Sequence, residues 1–330
     1  MSPWLRRLLF AASTLVAVAI ASCNREAAQA PFPSTTIEII APTSPGGGWD
    51  TTARVVQSVL QSEGIVKVPM VVVNRPGAGG EVGWSYLNEH PGNAHYTAMN
   101  SNQLFPRELS GQSTQRFEDF TPLARLTTEY VVLAVRADSP YKTGRELLDA
   151  LKQDPLKLTV SIGSGLASSD HMSFLQAAKA HGVDIRRVKI IVYNSGADQM
   201  AAALGGHVDV VSAGLSEAIE QAKAGKLRLI AISAPDRVKD APEVPTWAEM
   251  GIAGTFEHWR GFMGPGNLAA NDIATWDRML ASMVKSNAWQ QELQRRGWVD
   301  AYMPSATYSA FLGEERSRFQ AIMRDTGLIP

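Results

Sequence analysis

Four short loops rich in glycine and serine are the segments of this sequence best suited to chemistry. They span residues 42–50 (PTSPGGGWD), 74–80 (NRPGAGG), 163–170 (GSGLASSD) and 193–198 (YNSGAD). Each loop is predicted to follow a β-strand and to open a helix. Glycine lets a ligand approach the main chain closely, and the first N–H groups of a helix have no partner within it. Because the helix dipole adds about half a positive charge there, such loops can hold a carboxylate or phosphate without a lysine.

Ligand capture is therefore predicted to depend on residues of these loops. The candidates in the first two loops are Ser44, Gly46, Gly47, Gly48, Trp49, Asp50, Gly77, Ala78, Gly79 and Gly80. The candidates in the last two loops are Ser164, Gly165, Ser168, Asp170, His171, Tyr193, Ser195 and Gly196. Any one loop is equally well explained as a tight turn. In open α/β sheets, however, ligands bind at the carboxyl ends of strands, so four such loops in one chain favour a shared crevice.

Charged residues in and near the loops have two possible roles each. The aspartates that stand where helix N-caps belong, and for which capping is the expected role, are Asp50, Asp170 and Asp198. Each of them is alternatively suited to an ammonium or hydroxyl group of the ligand. His171 is predicted to lie in the first turn of its helix, at the crevice. The arginines suited either to a ligand carboxylate or to an ion pair within the protein are Arg75, Arg125 and Arg260.

Two classes of enzyme fit the sequence poorly. Residues 77–80 follow a strand, but a dinucleotide fingerprint needs glycine where Val82 stands, and an acidic residue about 20 positions further on, where Asn100 and Ser101 stand. Residues 168–171 include serine, aspartate and histidine, yet neighbours at one helix start rarely form a triad. The six histidines show no paired spacing typical of zinc. The sequence predicts a binding protein, with no catalytic residue, metal or cofactor.

The order of predicted elements indicates an α/β fold. In the first part of the chain, strands are predicted at 36–41, 68–73, 96–100 and 130–136, with helices at 51–63 and 81–89. In the second part, strands are predicted at 158–162, 188–192, 208–213 and 227–233, with helices at 171–181, 198–204 and 216–224. A further strand is expected at 259–263, and residues 271–327 are predicted to be helical, without strands. Such βαβ order predicts mainly parallel sheets flanked by helices.

A chain of 330 residues is longer than one hydrophobic core usually holds, so two lobes are expected. Because the predicted tail has no strands of its own, its helices are expected to cover an existing core. The core of the first unit is the simplest assignment. The chain would then cross between lobes twice, near Val135 and Glu257, as in a hinged clamshell. This predicts lobe I at residues 35–134 plus 258–330 and lobe II at 135–257. Two sequential domains are the alternative.

The N-terminus has the features of an export signal. Arg6 and Arg7 precede an apolar run, and no acidic residue occurs before Glu26. Ile20-Ala21-Ser22-Cys23 resembles a lipobox, which predicts a signal peptide at residues 1–22, lipidation of Cys23 and a membrane tether at 23–34. Cleavage after Ala30 is the alternative, and it would release a protein without the anchor.

The charge balance does not suit a nucleic-acid partner. The formal charge is −1 for the chain, and it becomes −3 once residues 1–22 are removed, because they contain two arginines and no acidic residue. A basic field that would attract phosphate backbones is therefore not expected.

At the same loops the chain resembles the substrate-binding receptors of the tripartite tricarboxylate transporter family. The motifs that carry this resemblance, in chain order, are AP at 41–42, PGGGWD at 45–50, AR at 53–54, PGAGG at 76–80, ARL at 124–126, EY at 129–130, DSPYKT at 138–143, DH at 170–171, LGG at 204–206, AGKLR at 224–228, VPT at 244–246 and WRG at 259–261. Each motif alone is weak, but their order and spacing are specific.

The resemblance implies a two-lobed periplasmic-binding-protein fold, which closes on its ligand like a flytrap. It also implies that backbone N–H groups of the first two loops grip a small di- or tricarboxylate, and that the last two loops complete the site. The expected partners are the membrane subunits of such a transporter, and the expected state is a monomer that is lipid-anchored in the periplasm. Amino acids and aromatic acids stay open as ligands, as does presentation to a sensor kinase. An α/β-hydrolase-like enzyme is a more distant alternative.

Overall fold

Strands and helices alternate along most of the chain, of which the computed structural model describes residues 31–163, 165–193 and 196–330. The strands are β1 (Ile37–Ala41), β2 (Met70–Asn74), β3 (Tyr96–Asn100), β4 (Phe120–Arg136), β5 (Thr159–Ile162), β6 (Lys189–Val192), β7 (Val210–Gly214), β8 (Leu227–Ile232), β9 (Glu257–Pro265) and β10 (Val299–Pro304). The helices are α1 (Gly48–Ser62), α2 (Glu81–Asn88), α3 (Leu104–Leu109), α4 (Gly144–Gln153), α5 (Ser169–Ala180), α6 (Gly196–Leu204), α7 (Leu215–Lys223), α8 (Ala270–Val284), α9 (Asn287–Arg296) and α10 (Ser305–Asp325). Every predicted strand and helix overlaps one of these elements.

The strands form two lobes joined through one long strand. In lobe I, β1 pairs in parallel with β2 and β3, while β9 lies antiparallel between β3 and β4. In lobe II, β5 pairs in parallel with β6 and β7. The second part of β4 pairs antiparallel with β7 and β8. The two-lobed α/β prediction is therefore confirmed, although its residue boundaries stay a prediction.

The sheets contain more antiparallel pairing than the βαβ order predicted. β4 leads the chain from lobe I into lobe II, and β9 leads it back, so the two strands run in opposite directions. They pair side by side from Phe120 with Pro265 to Tyr130 with Glu257. This pairing makes the lobe I sheet mixed, and the antiparallel pairing of β4 with β7 and β8 makes the lobe II sheet mixed. Strands joined by helical crossovers keep the expected parallel order.

Helices cover both faces of the lobe I sheet. Ile39 of β1 packs on one face with Val56 of α1 and Leu280 of α8. The next residue, Ile40, packs on the other face against Trp84 of α2. This alternation follows from the period of two in a strand. The predicted covering of lobe I by the C-terminal tail agrees with the packing of α8 and α9 in this core.

The tail also contains β10, which the sequence analysis missed. β10 pairs antiparallel with β4, with Val299 opposite Thr128 and Pro304 opposite Ala124. The prediction of a tail without strands was therefore wrong. Its six residues, VDAYMP, show no apolar alternation. An edge strand between two helices is stabilised by its neighbours more than by its own sequence pattern, so it does not need such an alternation.

Lobe II is built in the same way around the second part of β4. Leu133 packs in the core on one side of its sheet, and Val132 packs in the core on the other side. Helix α4 was not predicted, although Thr143 and Glu146 form a capping box at its start. That Thr-x-x-Glu spacing is the signal in the sequence from which α4 could have been found.

The last helix contacts both lobes. Phe319 and Met323 of α10 pack in one buried cluster with Met172 of α5, which belongs to lobe II. Lys179 of α5 forms an ion pair with Asp325 at the end of α10. The C-terminal helix is therefore part of the connection between the lobes, and not only a cover for lobe I.

Candidate ligand-binding cleft

A cavity of about 1140 Å³ lies between the lobes and is lined by residues of both. Twelve of the predicted ligand-binding residues line it, namely Ser44, Gly46, Gly47, Gly48, Trp49, Gly77, Ala78, Gly79, Gly80, Ser168, Asp170 and Gly196. The four that do not are Asp50, Gly165, His171 and Tyr193. Ser164 and Ser195 lie outside the residues that the structure describes, as does Cys23. Ligand contact itself stays a prediction for the whole set.

The first loop is held in place by the buried carboxylate of Asp50. Its Oδ2 accepts a hydrogen bond from the Gly46 N–H at 2.8 Å, and its Oδ1 accepts one from Asn74 Nδ2 at 2.8 Å. Arg54 donates to both oxygens at 3.0 Å. Asn74 Nδ2 also donates to the Thr43 carbonyl at 3.0 Å. The network leaves Asp50 3% exposed, so this residue shapes the loop from behind.

Asp50 does not cap α1 as predicted. The N-cap is Gly47, and Asp50 lies in the first turn. Burial alone would raise the pKa of Asp50, but the hydrogen bonds from Arg54, Gly46 and Asn74 outweigh burial and hold this pKa below its usual value. A glycine N-cap has no side chain over the helix start. The N–H groups at the start of α1 are therefore open to a ligand oxygen.

The second loop has four consecutive residues with positive φ, at 137° for Gly77, 46° for Ala78, 64° for Gly79 and 111° for Gly80. Three of these residues are glycines, which adopt such angles without strain. A Cβ on Gly80 would lie 2.8 Å from the ring of Trp84. The backbone therefore approaches Trp84 closely on one side while it lines the cleft on the other.

The third loop opens α5 in lobe II. Its N-cap is Ser168, whose Oγ accepts from the His171 N–H at 3.4 Å and donates to the Gly163 carbonyl at 3.0 Å. Asp170, predicted as the cap, instead lies in the first turn, and its Oδ2 accepts from the Gly163 N–H at 3.2 Å. Burial and the charge of Glu217 raise the pKa of Asp170 well above its usual range. Ser169 Oγ donates to Asn102 Oδ1 in lobe I at 2.8 Å, which links the two walls of the cleft.

His171 faces the protein interior. It is 4% exposed, and its Nδ1 accepts a hydrogen bond from the Ala167 N–H at 3.0 Å. Burial lowers the pKa of His171 to about 4. The expected position at the crevice is therefore not observed, and His171 fixes the loop that carries Asp170 and Ser168. Tyr193 packs beside the core on one face of the lobe II sheet.

The three candidate arginines have different environments. The Arg75 guanidinium lies 4.1 Å above the ring of Tyr86. Arg125 is 4% exposed and forms an ion pair with Glu257. Arg260 lines the cleft. Arg260 is therefore the one of these three that lies within reach of a ligand.

Two charged residues on the cleft wall, Glu129 and Glu217, were not identified as site candidates from the sequence. Glu129 lies on β4, where its Oε1 is 3.5 Å from both Arg260 Nη2 and His258 Nδ1, and its Oε2 accepts from Ser216 Oγ at 2.7 Å. Glu217 lies in the first turn of α7 and is exposed to the cleft. Although its side chain is exposed to the cleft, the surrounding walls partly desolvate Glu217, which raises its pKa, and the charge of Glu129 adds to this effect. No local pattern in the sequence distinguishes either residue, because Glu129 follows the polar pair Thr127-Thr128 in β4 and Glu217 is one of two glutamates in α7.

The described part of the chain has no group of three or more His, Cys, Asp or Glu residues arranged to hold a metal ion. No helix among the described residues is long and apolar enough to cross a membrane.

Comparison with known proteins gives consistent matches. The model of the family described as "Tripartite tricarboxylate transporter family receptor" matches residues 52–328. A UPF0065 protein in the tcbD-tcbE intergenic region of Pseudomonas sp. (strain P51) is 32% identical over 243 residues, which cover 71% of this chain and 69% of that protein.

Solved structures have the same fold. A TctC solute-binding protein from Polaromonas, crystallised without ligand, is 25% identical with a TM-score of 0.74, over 89% of this chain and 99% of that one. MatC from Rhodopseudomonas palustris, with bound malate, is 22% identical with a TM-score of 0.73, over 88% of this chain and 99% of that one.

Proposed function

The chain belongs to the tripartite tricarboxylate transporter receptor family, and we propose that it captures a small di- or tricarboxylate and delivers it to the membrane subunits of such a transporter. The family consists of periplasmic solute-binding proteins, so the chain is a receptor and not an enzyme. In the proposed mechanism the ligand enters the open cleft, and the two lobes then close on it.

The observation that carries this proposal is the geometry of the two loops in lobe I. Gly47 is the N-cap of α1 and Gly48 is its first residue, so no capping side chain covers the N–H groups of the first turn. The Gly46 N–H is not among them, because it donates to Asp50. Residues 77–80 present their backbone to the same cavity. Hydrogen bonds to an ionised carboxylate are worth about 1.5–3 kcal/mol each, so a few backbone N–H groups are enough for binding. Arg260 adds a positive charge beside the first loop.

The malate bound to MatC supports a small dicarboxylate as the class of ligand. Malate has two carboxylates and one hydroxyl group, and a cavity with loops on both walls suits groups at both ends of such a molecule.

The experiment that tests this function is thermal unfolding of the mature protein with a panel of ligands. The panel contains citrate, tricarballylate, succinate, malate, aromatic acids and amino acids. A ligand at 100 times its dissociation constant stabilises the folded state by about 2.7 kcal/mol, which should raise the melting temperature by several degrees. The proposal would be contradicted if no carboxylate of the panel shifts the melting temperature, or if the protein turns over any of these ligands.

We also propose that the receptor is a monomer anchored to the membrane through lipidated Cys23. Of the predicted tether at 23–34, Phe32 packs beside the lobe I core and the Ser34 N–H donates to His95, so this end of the segment is held on lobe I. Membrane fractionation of the wild type and of Cys23→Ala tests the anchor. The wild type should sediment with membranes, and Cys23→Ala should move to the soluble fraction. Equal distribution of the two proteins would contradict the lipid anchor.

A further inference from the structure

The two walls of the cleft differ in the charged or acidic side chains that lie against their glycine-rich loops. Arg260 lies against the first loop of lobe I, because a Cβ placed on Gly48 would be 2.7 Å from its Nη2. On the opposite wall, the loops of lobe II each have a protein carboxylate against them. Asp170 Oδ2 lies 3.3 Å from a Cβ placed on Gly163, and a Cβ on Gly196 would collide with the carboxylate of Glu217.

These carboxylates occupy the positions where lobe II would otherwise bind an anion. The Gly163 N–H already donates to Asp170 at 3.2 Å, so it is not free for a ligand carboxylate. Glu217 lies beside Gly196, the first residue of α6, where the positive end of the helix dipole would attract an anion. A second ligand carboxylate in this place would be repelled by two protein carboxylates. Lobe II is therefore suited to a positive group, although its loops resemble those of lobe I in sequence.

Asp170 is directed into the cleft with unused hydrogen-bonding capacity. The residue is 7% exposed and lines the cavity. Its Oδ2 accepts from Gly163, while its Oδ1 has no hydrogen-bond partner among the described residues. A carboxylate oxygen in such a position usually has a partner, because burying a charge without one is costly. A donor on the ligand would satisfy it.

Burial and neighbouring carboxylates raise the pKa of both Asp170 and Glu217, and the charge of Arg260, which lowers each pKa, has the smaller effect. In the described part of the chain, Lys223 pairs with Glu220 at 3.0 Å, and both Arg295 and Arg296 pair with Glu292. Arg260 contacts Glu129 at 3.5 Å. Asp170 and Glu217 form no ion pair with any described residue, and Asp240 adds a further acidic residue to the cavity lining.

We propose that the carboxylate ligand also carries an ammonium group, which Asp170 and Glu217 receive in lobe II while the glycine-rich loops and Arg260 hold its carboxylate in lobe I. This inference rests on the proposed function. It narrows the class of ligands to amino-carboxylates, and it assigns recognition of the ammonium group to Asp170 and Glu217. Closure of the lobes would bring each end of a zwitterion against side chains of opposite charge.

The test is calorimetric titration of the mature protein at pH 7.5 with matched pairs of ligands. The pairs are aspartate with succinate and glutamate with glutarate, which differ only in the amino group, and malate is included as the hydroxyl counterpart of aspartate. We expect at least one amino-carboxylate to bind ten times more tightly than its partner without nitrogen, and more tightly than malate.

The variant Glu217→Gln keeps the size of the side chain and removes its charge. Because Glu217 is exposed, the variant should fold, and its melting temperature checks this. The variant should weaken binding of the amino-carboxylate about tenfold. The matched ligand without an amino group should bind with unchanged or higher affinity. Asp170→Asn should act in the same direction. Glu243→Gln, an exposed carboxylate away from the cavity lining, is the matched control and should leave both affinities unchanged.

The possible failures are distinguishable. If succinate, glutarate or malate binds as tightly as the amino-carboxylates, the ammonium inference is wrong while the carboxylate receptor stands. If amino-carboxylates are preferred but neither variant reduces the preference, the assignment to Asp170 and Glu217 is wrong. If no carboxylate with or without nitrogen binds, the proposed function itself is wrong, and this inference falls with it.

Discussion

The guanidinium of Arg260 contacts the carboxylate of Glu129 at 3.5 Å, and the two residues lie on the paired strands by which the chain crosses between lobes. Glu129 is on β4 and Arg260 is on β9. The central charges of the cleft are therefore attached to the connection between the lobes. In the proposed closing mechanism, a ligand that neutralises or displaces one of them would act directly on these connecting strands.

Replacement of Arg260 by methionine is expected to weaken carboxylate binding about 10- to 100-fold. The variant keeps the aliphatic volume but removes a positive charge whose hydrogen bond to a carboxylate is worth about 1.5–3 kcal/mol. Calorimetric titration with the best ligand of the panel measures the effect. Arg260→Lys should give an intermediate affinity, because a lysine keeps the charge but not the planar fork of the guanidinium.

Arg116→Met is the matched control for Arg260. Arg116 has a side chain 61% exposed, and within the described residues its guanidinium forms an ion pair with Glu118 at 3.7 Å. Exposed ion pairs contribute little, so this variant should bind like the wild type. Equal affinity of the wild type and Arg260→Met would show that Arg260 balances Glu129 without contacting the ligand.

Asp50→Asn is expected to destabilise the protein by about 1–3 kcal/mol at pH 7, because the charge-assisted hydrogen bonds to Gly46, Asn74 and Arg54 are weakened or lost. The pKa of Asp50 is held below its usual 3.8 in the folded state. Its contribution is therefore present above pH 3.8 and is lost as the pH falls through the lowered pKa. Urea unfolding at pH 7 and pH 3 should show a difference from the wild type that shrinks in acid.

The control for Asp50 is Asp138→Asn. Asp138 also pairs with an arginine, Arg136, but its side chain is 66% exposed. Its replacement should leave the free energy of unfolding nearly unchanged, because exposed ion pairs contribute little. If Asp50→Asn is equally mild, the first loop does not depend on this network.

Gly80→Ala is expected to disturb the second loop in two ways. Its φ of 111° strains any L-residue, and the new Cβ would lie 2.8 Å from the Trp84 ring. Trp84 cannot move away easily, because it is 1% exposed and its Nε1 donates to the Met99 carbonyl at 3.0 Å. We expect a loss of ligand affinity and a destabilisation larger than the roughly 1–2 kcal/mol that positive φ alone costs.

Gly111→Ala separates these two contributions. Gly111 has φ 71° and no heavy atom within 4 Å of its potential Cβ, so only the backbone strain applies. Urea unfolding should rank Gly80→Ala as the more destabilising of the two, and only Gly80→Ala should weaken ligand binding. The same result for both variants would exclude a role for the Trp84 contact.

The elements that could be predicted from the sequence are those with a strong local pattern. β3 was predicted with its observed limits, Tyr96–Asn100, because a short apolar run between turn residues has few alternatives. β10 lacked such a pattern, and its position depends on pairing with β4. The predicted starts of α1 and α5, at residues 51 and 171, come a few residues too late, because the aspartates were expected to be the N-caps. The observed N-caps are Gly47 and Ser168.

The loops of the cleft were visible in the sequence because glycine and serine after a strand have a local signature. Glu129 and Glu217 have none, since they are single charged residues 88 positions apart that meet only when β4 and α7 are packed together. The backbone part of the candidate site could therefore be predicted from the sequence. The side chains that decide its charge required the fold.

His171→Asn is expected to flatten the dependence of stability on pH between 6.5 and about 4. Burial lowers the pKa of His171 from 6.5 to about 4. In this window the unfolded chain binds a proton that the folded protein does not, so the wild type loses up to about 3 kcal/mol as the pH falls. Asparagine keeps an acceptor for the Ala167 N–H but does not titrate. Urea unfolding across this range should show a smaller slope for the variant than for the wild type or for His207→Asn, which replaces an exposed histidine. Parallel curves for all three proteins would contradict a buried neutral His171.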